Sequence, residues 1–256
     1  MTTIEAEPQS ALISRRQRIA GWSLHAYTAS GTVLALLAVS AAVSGEDVRA
    51  LWILLVALFI DGTDGMLARR LRVKETIPYF DGARLDDIVD FITYAFVPMV
   101  LLWTGGYLPA GTWGAVLAGV PLIASSYQFC RADAKTNDHY FLGFPSYWNV
   151  VAFYVVVLGL SPAVTATVVL ICAVLVFVPI KYLYPSRTPV MRALNVALAA
   201  LWLVLYAIIL AGMPDPNVLV VVLSLGYLAY YLVASVYLTL RGSRARVRSG
   251  VQEAAA

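Results

Sequence analysis

The sequence predicts an all-α fold: a polytopic integral membrane protein of about eight transmembrane helices. Three observations carry that prediction. Of 256 residues, 61% are hydrophobic and only 13% charged, too little charge for the surface of a soluble chain of this length. Apolar runs close to the roughly 20 residues that a bilayer crossing needs recur along nearly the whole chain. The basic residues collect in every second link between those runs, which places seventeen of the eighteen Lys and Arg on one side.

The spans read in order as 21–44, 50–70, 84–106, 111–131, 146–161, 163–184, 189–212 and 217–240. Arg15, Arg16 and Arg18 precede the first, whose apolar run far exceeds the 7–15 residues of a signal-peptide core and so reads as a retained span. Arg69, Arg70, Arg72, Lys74 and Arg84 lie between the second and third; Arg131 and Lys135 follow the fourth. The fifth is short. Pro145 suits its start, and Ser161-Pro162 reads as a tight turn into the sixth. Lys181, Arg187 and Arg192 surround the link to the seventh, and Gly212-Met213-Pro214-Asp215-Pro216 turns the chain into the eighth. If the short fifth and sixth helices dip without crossing, the count falls to six. Arg49 alone lies on the opposite side, so both termini are expected in the cytoplasm.

Three regions follow. Residues 1–20 form a cytoplasmic segment in which 10–20 mix apolar and basic positions, as an interfacial helix or a frayed basic tail would. Residues 21–240 form the transmembrane domain, which also holds the candidate catalytic residues described below, and 241–256 a basic tail expected to be disordered. Cys130 and Cys172 lie in or beside apolar runs, which excludes a disulfide framework, and two His are too few for a His/Cys metal cluster. No nucleic-acid partner is expected.

One stretch conflicts with this apolar background. Residues 59–91, FIDGTDGMLARRLRVKETIPYFDGARLDDIVDF, hold six aspartates and Glu75 where two spans meet. Asp61 and Asp64 are three apart and share a helix face near the cytoplasmic end of the second span; Asp86 and Asp90 are four apart in the first turns of the third. Antiparallel packing sets Asp64 level with Asp86 and Asp61 level with Asp90. Four unpaired carboxylates there are costly, and hard divalent cations are the natural partners of an all-oxygen site. Two such ions clamp phosphates in phosphoryl-type displacements. Gly62, Gly65 and Ala68 leave one face of the second span bare for a bulky ligand, and Arg69 is placed to hold a phosphate. Asp81, Asp87 and Glu75 are expected to pair with nearby arginines in a solvated link.

DGTDGMLAR followed by GARLDDIVD resembles the signature of the CDP-alcohol phosphotransferases, D-x2-D-G-x2-A-R and then G-x3-D-x3-D. It matches at Asp61, Asp64, Gly65, Ala68, Arg69, Gly82, Asp86 and Asp90. Residues 70–81 make the gap between the halves twelve residues, longer than is usual in the family. That gap is similar to the one in the bacterial branch that uses choline and yields phosphatidylcholine. HAYTASG (25–31), DFITYAFVP (90–98), KTNDHYFLGFPSYWNVVAFY (135–154) and FVPIKYLYPSR (177–187) also look like that branch, so the resemblance covers most of 20–240.

The resemblance implies a helical bundle of the family type in a bacterial inner membrane, with the active site toward the cytoplasm. It implies transfer of a phosphatidyl group from CDP-diacylglycerol to an alcohol, here choline, with release of CMP. Asp61, Asp64, Asp86 and Asp90 would be ligands of Mn²⁺ or Mg²⁺, two ions in all, with Asp90 also the general base. Gly65, Ala68, Arg69, Gly82 and Thr28 would contact CDP. The other implied partners are membrane phospholipid and a second copy of the chain in a homodimer.

A quaternary ammonium is recognised by aromatic faces, and Tyr94, one turn from Asp90, then Tyr147, Trp148 and Tyr184 are the candidates, with Tyr182 near them; interfacial Tyr and Trp also occur as a membrane belt. His25 and Thr28 sit at one level of the first span, where they touch the nucleotide or bond to neighbouring helices. Lys135 meets a phosphate or stays solvated. Two alternatives remain. Another family member would use serine, glycerol 3-phosphate or inositol, and Arg131, Arg187 and Arg192 could serve a phosphorylated acceptor. A cation-coupled transporter would use the aspartates as a relay.

Overall fold

The computed structural model describes residues 14–253, with side chains as far as Arg241. Most of the expected N-terminal segment, 1–13, and the last residues, 254–256, lie outside the described residues. The chain is mostly helical. Helices α1 (Arg15–Val43), α2 (Asp47–Arg70), α9 (Arg192–Ala211) and α10 (Val218–Glu253) contain stretches long and apolar enough to cross a bilayer, and the chain is a membrane protein. Between them come the short turn α3 (Val73–Thr76), α4 (Gly82–Asp90), α5 (Val97–Thr104), α6 (Thr112–Cys130), α7 (Trp148–Val157) and α8 (Pro162–Phe177).

The helices fall where the apolar runs placed them, with three differences. First, α7 has 10 residues and α8 has 16, so at 1.5 Å per residue they rise about 15 and about 24 Å, short of a hydrocarbon core of about 30 Å. Second, the fold is not purely helical: β1 (Tyr140–Leu142) and β2 (Lys181–Leu183) pair antiparallel with Phe141 opposite Tyr182. The strands tie the link before α7 to the link after α8. Third, both ends extend further as helix than expected. Helix α1 begins at Arg15 behind a capping box in which Ser14 and Gln17 satisfy each other's backbone N–H, so 15–20 are its first turns rather than a separate interfacial helix. Helix α10 continues through Glu253 into the expected disordered tail; that segment contains no proline and several strong helix formers.

Helix α1 organises the half of the molecule that matters for the site. Its buried positions, Gly21, Leu24, His25, Thr28, Gly31, Ala35, Ala38, Ala41 and Ala42, follow the helical repeat, singly or as adjacent pairs, and form one stripe of mostly small side chains. Small residues let backbones approach closely in the absence of a hydrophobic drive between helices. A Cβ on Gly31 would lie 2.5 Å from Val89 of α4, so α4 can sit at its present distance only because position 31 is glycine. Helix α1 thereby packs along α2 and touches α4 and α5.

Helices α4 and α5 form one continuous rod joined by a π-helical stretch, Phe91–Phe96. Pro98 explains it: proline lacks an N–H and its ring collides with the carbonyl four residues back, and a widened turn relieves both. Such turns re-aim side chains and recur at functional sites. This one starts at the residue after Asp90.

Candidate active site

Helix α2 supplies Asp61 and Asp64, and α4 supplies Asp86 and Asp90, as the spacing predicted. Three of the four converge: carboxylate oxygens of Asp61, Asp86 and Asp90 lie within 4.8 Å of one another. Asp64 is the exception, buried and turned toward α1, where Thr28 Oγ1 donates to its Oδ2 at 2.7 Å. Next to it Tyr27 and Thr63 share a hydrogen bond of 2.8 Å between the same two helices. Tyr94, carried by the π-helical stretch, donates its hydroxyl proton to Asp61 Oδ2. The expectation that Tyr94 shares the face of Asp90 holds, and its phenol is engaged with the carboxylates.

Among the described residues, no lysine or arginine forms an ion pair with Asp61, Asp64, Asp86 or Asp90. Lys135 reaches the neighbouring Asp87 at 3.7 Å. Partial burial works against the charged amine, but Asp87, Tyr184, Asp86 and Asp90 outweigh it and hold its pKa above the ordinary lysine value. Asp81 does not pair with arginine either: its carboxylate caps α4, accepting from the backbone N–H of Ala83 and Arg84 at 3.1 Å. The gathered donors are all carboxylate oxygens, closely spaced and without a cationic side chain among them. That set fits a hard divalent ion better than any arrangement of side chains.

A cavity of about 950 Å³ opens beside the carboxylates. Asp61, Gly62, Asp64, Gly65, Ala68 and Arg69 form one wall, and Gly82 and Asp86 another. Every residue of the two-part motif except Asp90 therefore faces it, and Thr28 does as well. A Cβ on Gly62 would meet nothing within 4 Å, so that part of α2 is bare as expected. Lys135 and Arg187 reach in from the links that β1 and β2 tie together.

The four aromatic candidates separate. Tyr184 lines the cavity, its ring stacked on Phe141 at 4.5 Å. Phe141 meets Tyr147 at 6.2 Å, and Tyr147 meets Tyr94 at 5.9 Å, so a run of rings leads from the cavity wall to Asp61. Trp148 is not part of it. It is fully buried, its indole N–H donates to Ser125 Oγ at 2.7 Å and its ring packs on Phe144; the tryptophan belongs to the core. Tyr182 is likewise buried, packed on Tyr231. Phe141, which completes the run, went unnoticed in the sequence because its position depends on the β1–β2 pairing. Pro78, Tyr79 and Phe80, which line the far side of the cavity, were signalled only by the unusual length of the gap between the motif halves.

The CDP-alcohol phosphatidyltransferase family matches this chain over residues 26–240. The chain belongs to that family. Among its relatives, a phosphatidylcholine synthase of Legionella pneumophila is 40% identical over 230 residues, covering 87% of this chain and 90% of the relative. One of Borreliella burgdorferi is 36% identical over 226 residues, covering 87% and 96%. One of Pseudomonas aeruginosa is 42% identical over 194 residues, covering 75% and 81%. The family generally uses a divalent metal, in keeping with the carboxylate cluster.

Proposed function

We propose that the protein transfers the phosphatidyl group of CDP-diacylglycerol to choline, giving phosphatidylcholine and CMP. The observation that carries the reading is the convergence of Asp61, Asp86 and Asp90 at a cavity walled by both halves of the motif. Relatives carrying the phosphatidylcholine synthase name support the choice of acceptor.

In this reading Mn²⁺ or Mg²⁺, two ions in all, would be held by Asp61, Asp64, Asp86 and Asp90, and when bound they neutralise the diphosphate and the leaving CMP oxygen. Thr28 fixes the orientation of Asp64, and Tyr94 that of Asp61. Gly65, Ala68 and Gly82 let the nucleotide lie close to the backbone, and Arg69 takes a phosphate in bidentate fashion. Asp90 accepts the choline hydroxyl proton as that oxygen bonds to the diacylglycerol-bearing phosphorus; the bond from that phosphorus to the CMP oxygen breaks, and the electron pair leaves with CMP. Choline lies against Tyr184 and Tyr147, with Tyr94 at the inner end, where aromatic faces attract the quaternary nitrogen.

The excess of basic residues in alternate links supports a bacterial inner-membrane location, with the site and both termini toward the cytoplasm. Eight membrane-embedded helices fit this layout. Whether α7 and α8 cross or dip, both outer ends of the pair return to the same face, so the orientation is the same. The family resemblance extends the reading to a homodimer, which crosslinking of the purified protein tests.

The deciding experiment supplies purified protein with CDP-diacylglycerol, Mn²⁺ and labelled choline, serine or glycerol 3-phosphate. Choline should enter lipid with matching CMP release. Of the arginines that could serve a phosphorylated acceptor, Arg187 lines the cavity, whereas Arg131 is bound to Asp133 and to the Leu142 carbonyl. Incorporation of glycerol 3-phosphate or serine in place of choline overturns the acceptor assignment while leaving the reaction class intact.

A further inference from the structure

His25 lines the cavity from α1, one turn before Thr28, about 4.5 Å further along the helix axis. It is 8% exposed, and its Nε2 is buried with no hydrogen-bond partner among the described residues. A buried polar nitrogen left unpaired costs about 1–3 kcal/mol, so a native structure that keeps one calls for an explanation. Phe80 lies against His25 at 4.5 Å, and Trp22 meets both, at 5.8 Å from His25 and 5.2 Å from Phe80. A Cβ on Gly82 would stand 2.6 Å from His25 Cε1, so the motif glycine that begins α4 also makes room for the imidazole. Phe80 is only partly buried, sits on the link made by the long gap between the motif halves and lines the cavity together with His25.

We infer that His25 and Phe80 form the pocket for the pyrimidine base, Phe80 stacking on its face and His25 Nε2 bonding to its polar edge. The placement follows from the order of groups along the wall. Asp61, Asp86 and Asp90 converge at one end, the Arg69 guanidinium lies beside Gly65 at the level of Asp64 and Thr28, and His25, facing Gly82 with Phe80 against it, lies one turn further along α1, away from Asp90. A ring-sized aromatic surface with one buried, unsatisfied nitrogen is suited to a flat heterocycle carrying donors and acceptors on one side. It is not suited to an acyl chain, which offers no partner, nor to a quaternary ammonium, which offers no donor or acceptor. The inference rests on the CDP-diacylglycerol reading and adds base recognition to it.

The test compares CMP with ribose 5-phosphate, which keeps the phosphate and loses the base, by calorimetric titration in the presence of Mn²⁺. Wild type should bind CMP more tightly. His25→Ala should weaken CMP by about tenfold, the scale of one hydrogen bond, and Phe80→Ala by about tenfold or more, the scale of one stacked base, while both leave ribose 5-phosphate within about twofold. His25→Gln, which keeps a hydrogen-bonding head, should recover part of the loss and serves if the alanine variant does not fold. Equal CMP affinity in wild type and in His25→Ala or Phe80→Ala overturns the proposal, as does a parallel loss of both ligands or an absence of CMP preference in wild type. Choline transfer by the wild-type protein, measured on the same preparation, reports separately on the underlying reading.

Discussion

The two halves of the bundle bury polar groups in opposite ways. In the half built from α7, α9 and α10, Trp202 donates to the Tyr154 hydroxyl at 2.9 Å, Tyr154 and Ser224 are bonded at 3.1 Å, and Tyr230 donates to Asn195 at 2.7 Å. There these groups satisfy one another, with the buried Tyr206 hydroxyl the one side-chain group of α9 left without a partner among the described residues, and hydrogen bonds between helices fix their packing. In the half built from α1, α2 and α4, like charges face one another. Thr28 and Tyr94 each satisfy one carboxylate oxygen, but Asp61, Asp86 and Asp90 still converge within 4.8 Å. A polar cluster that completes itself contributes stability. One that gathers a single sign of charge keeps stability in reserve until a cation arrives, and this marks it as a site.

The contrast is broken most directly at Asp90. Asp90→Asn keeps the shape of the side chain and removes the proposed proton acceptor, and turnover should fall by about 10³-fold, within the range for loss of a general base. Binding of CDP-diacylglycerol should persist. Activity close to wild type in a variant that binds the lipid normally would remove Asp90 from this role. Next in size is the response to metal. Micromolar to millimolar Mn²⁺ should raise the unfolding temperature of the EDTA-treated protein, and at a free concentration of about 100 times Kd the gain is about 2.7 kcal/mol. In Asp86→Asn the gain should shrink, while apo stability should hold or rise because one like charge has gone. A metal-induced shift of unchanged size in that variant would argue that the ion binds elsewhere.

The aspartates were legible because their geometry is local. Three- and four-residue spacings put pairs on one helix face, and a short link forces the two helices to be antiparallel neighbours, so the sequence alone predicts the meeting of Asp61, Asp86 and Asp90. Asp64 turned away because its fate depends on Thr28, 36 residues earlier, and no periodicity reports which face of α1 meets α2 when that face is made of Gly and Ala. Trp148 was misplaced for a similar reason. Helix α7 is apolar on every side, so its rotation is set by packing against Ser125 and Phe144 and cannot be read from a hydrophobic pattern. The β1–β2 pair has three residues on each side, too short for alternation to show, and it joins segments some 40 positions apart in the chain. Among the described residues, apolar length alone supports four of the expected spans, α1, α2, α9 and α10; the third expected span is interrupted by the π-helical stretch, and α7 and α8 are short.

The self-satisfied half supplies the matching control. Trp202→Phe removes the indole donor to Tyr154 but keeps an aromatic ring among Phe153, Tyr206 and Tyr227. Unfolding monitored in detergent should show a loss of about 1 kcal/mol, the net worth of one buried hydrogen bond with some repacking. The KM for both substrates should not change. A change in choline KM without loss of stability would mean that the two halves are coupled and that the division drawn between them is wrong.

The smallest expected effect lies at the strap that holds the two links together. Lys181 pairs with Asp138, and Thr188 Oγ1 donates to the His139 carbonyl at 2.8 Å, both close to the β1–β2 pair. Burial would raise the Asp138 pKa, but hydrogen bonds from Lys181 and Thr136 and the lysine charge outweigh it, so the carboxyl titrates below its ordinary value. With a folded pKa below the unfolded one, the contribution to stability is present above the unfolded pKa and is lost as the pH falls through the folded pKa. The carboxylate is half exposed, which limits the pair to about 0.2–1 kcal/mol. Asp138→Asn should therefore lower the unfolding temperature slightly at neutral pH, and the difference from wild type should vanish under acid conditions and shrink at high salt. Because Lys135 and Arg187 enter the cavity from these same links, a larger loss of turnover than of stability in this variant would show that the strap positions the cavity wall as well as closing it.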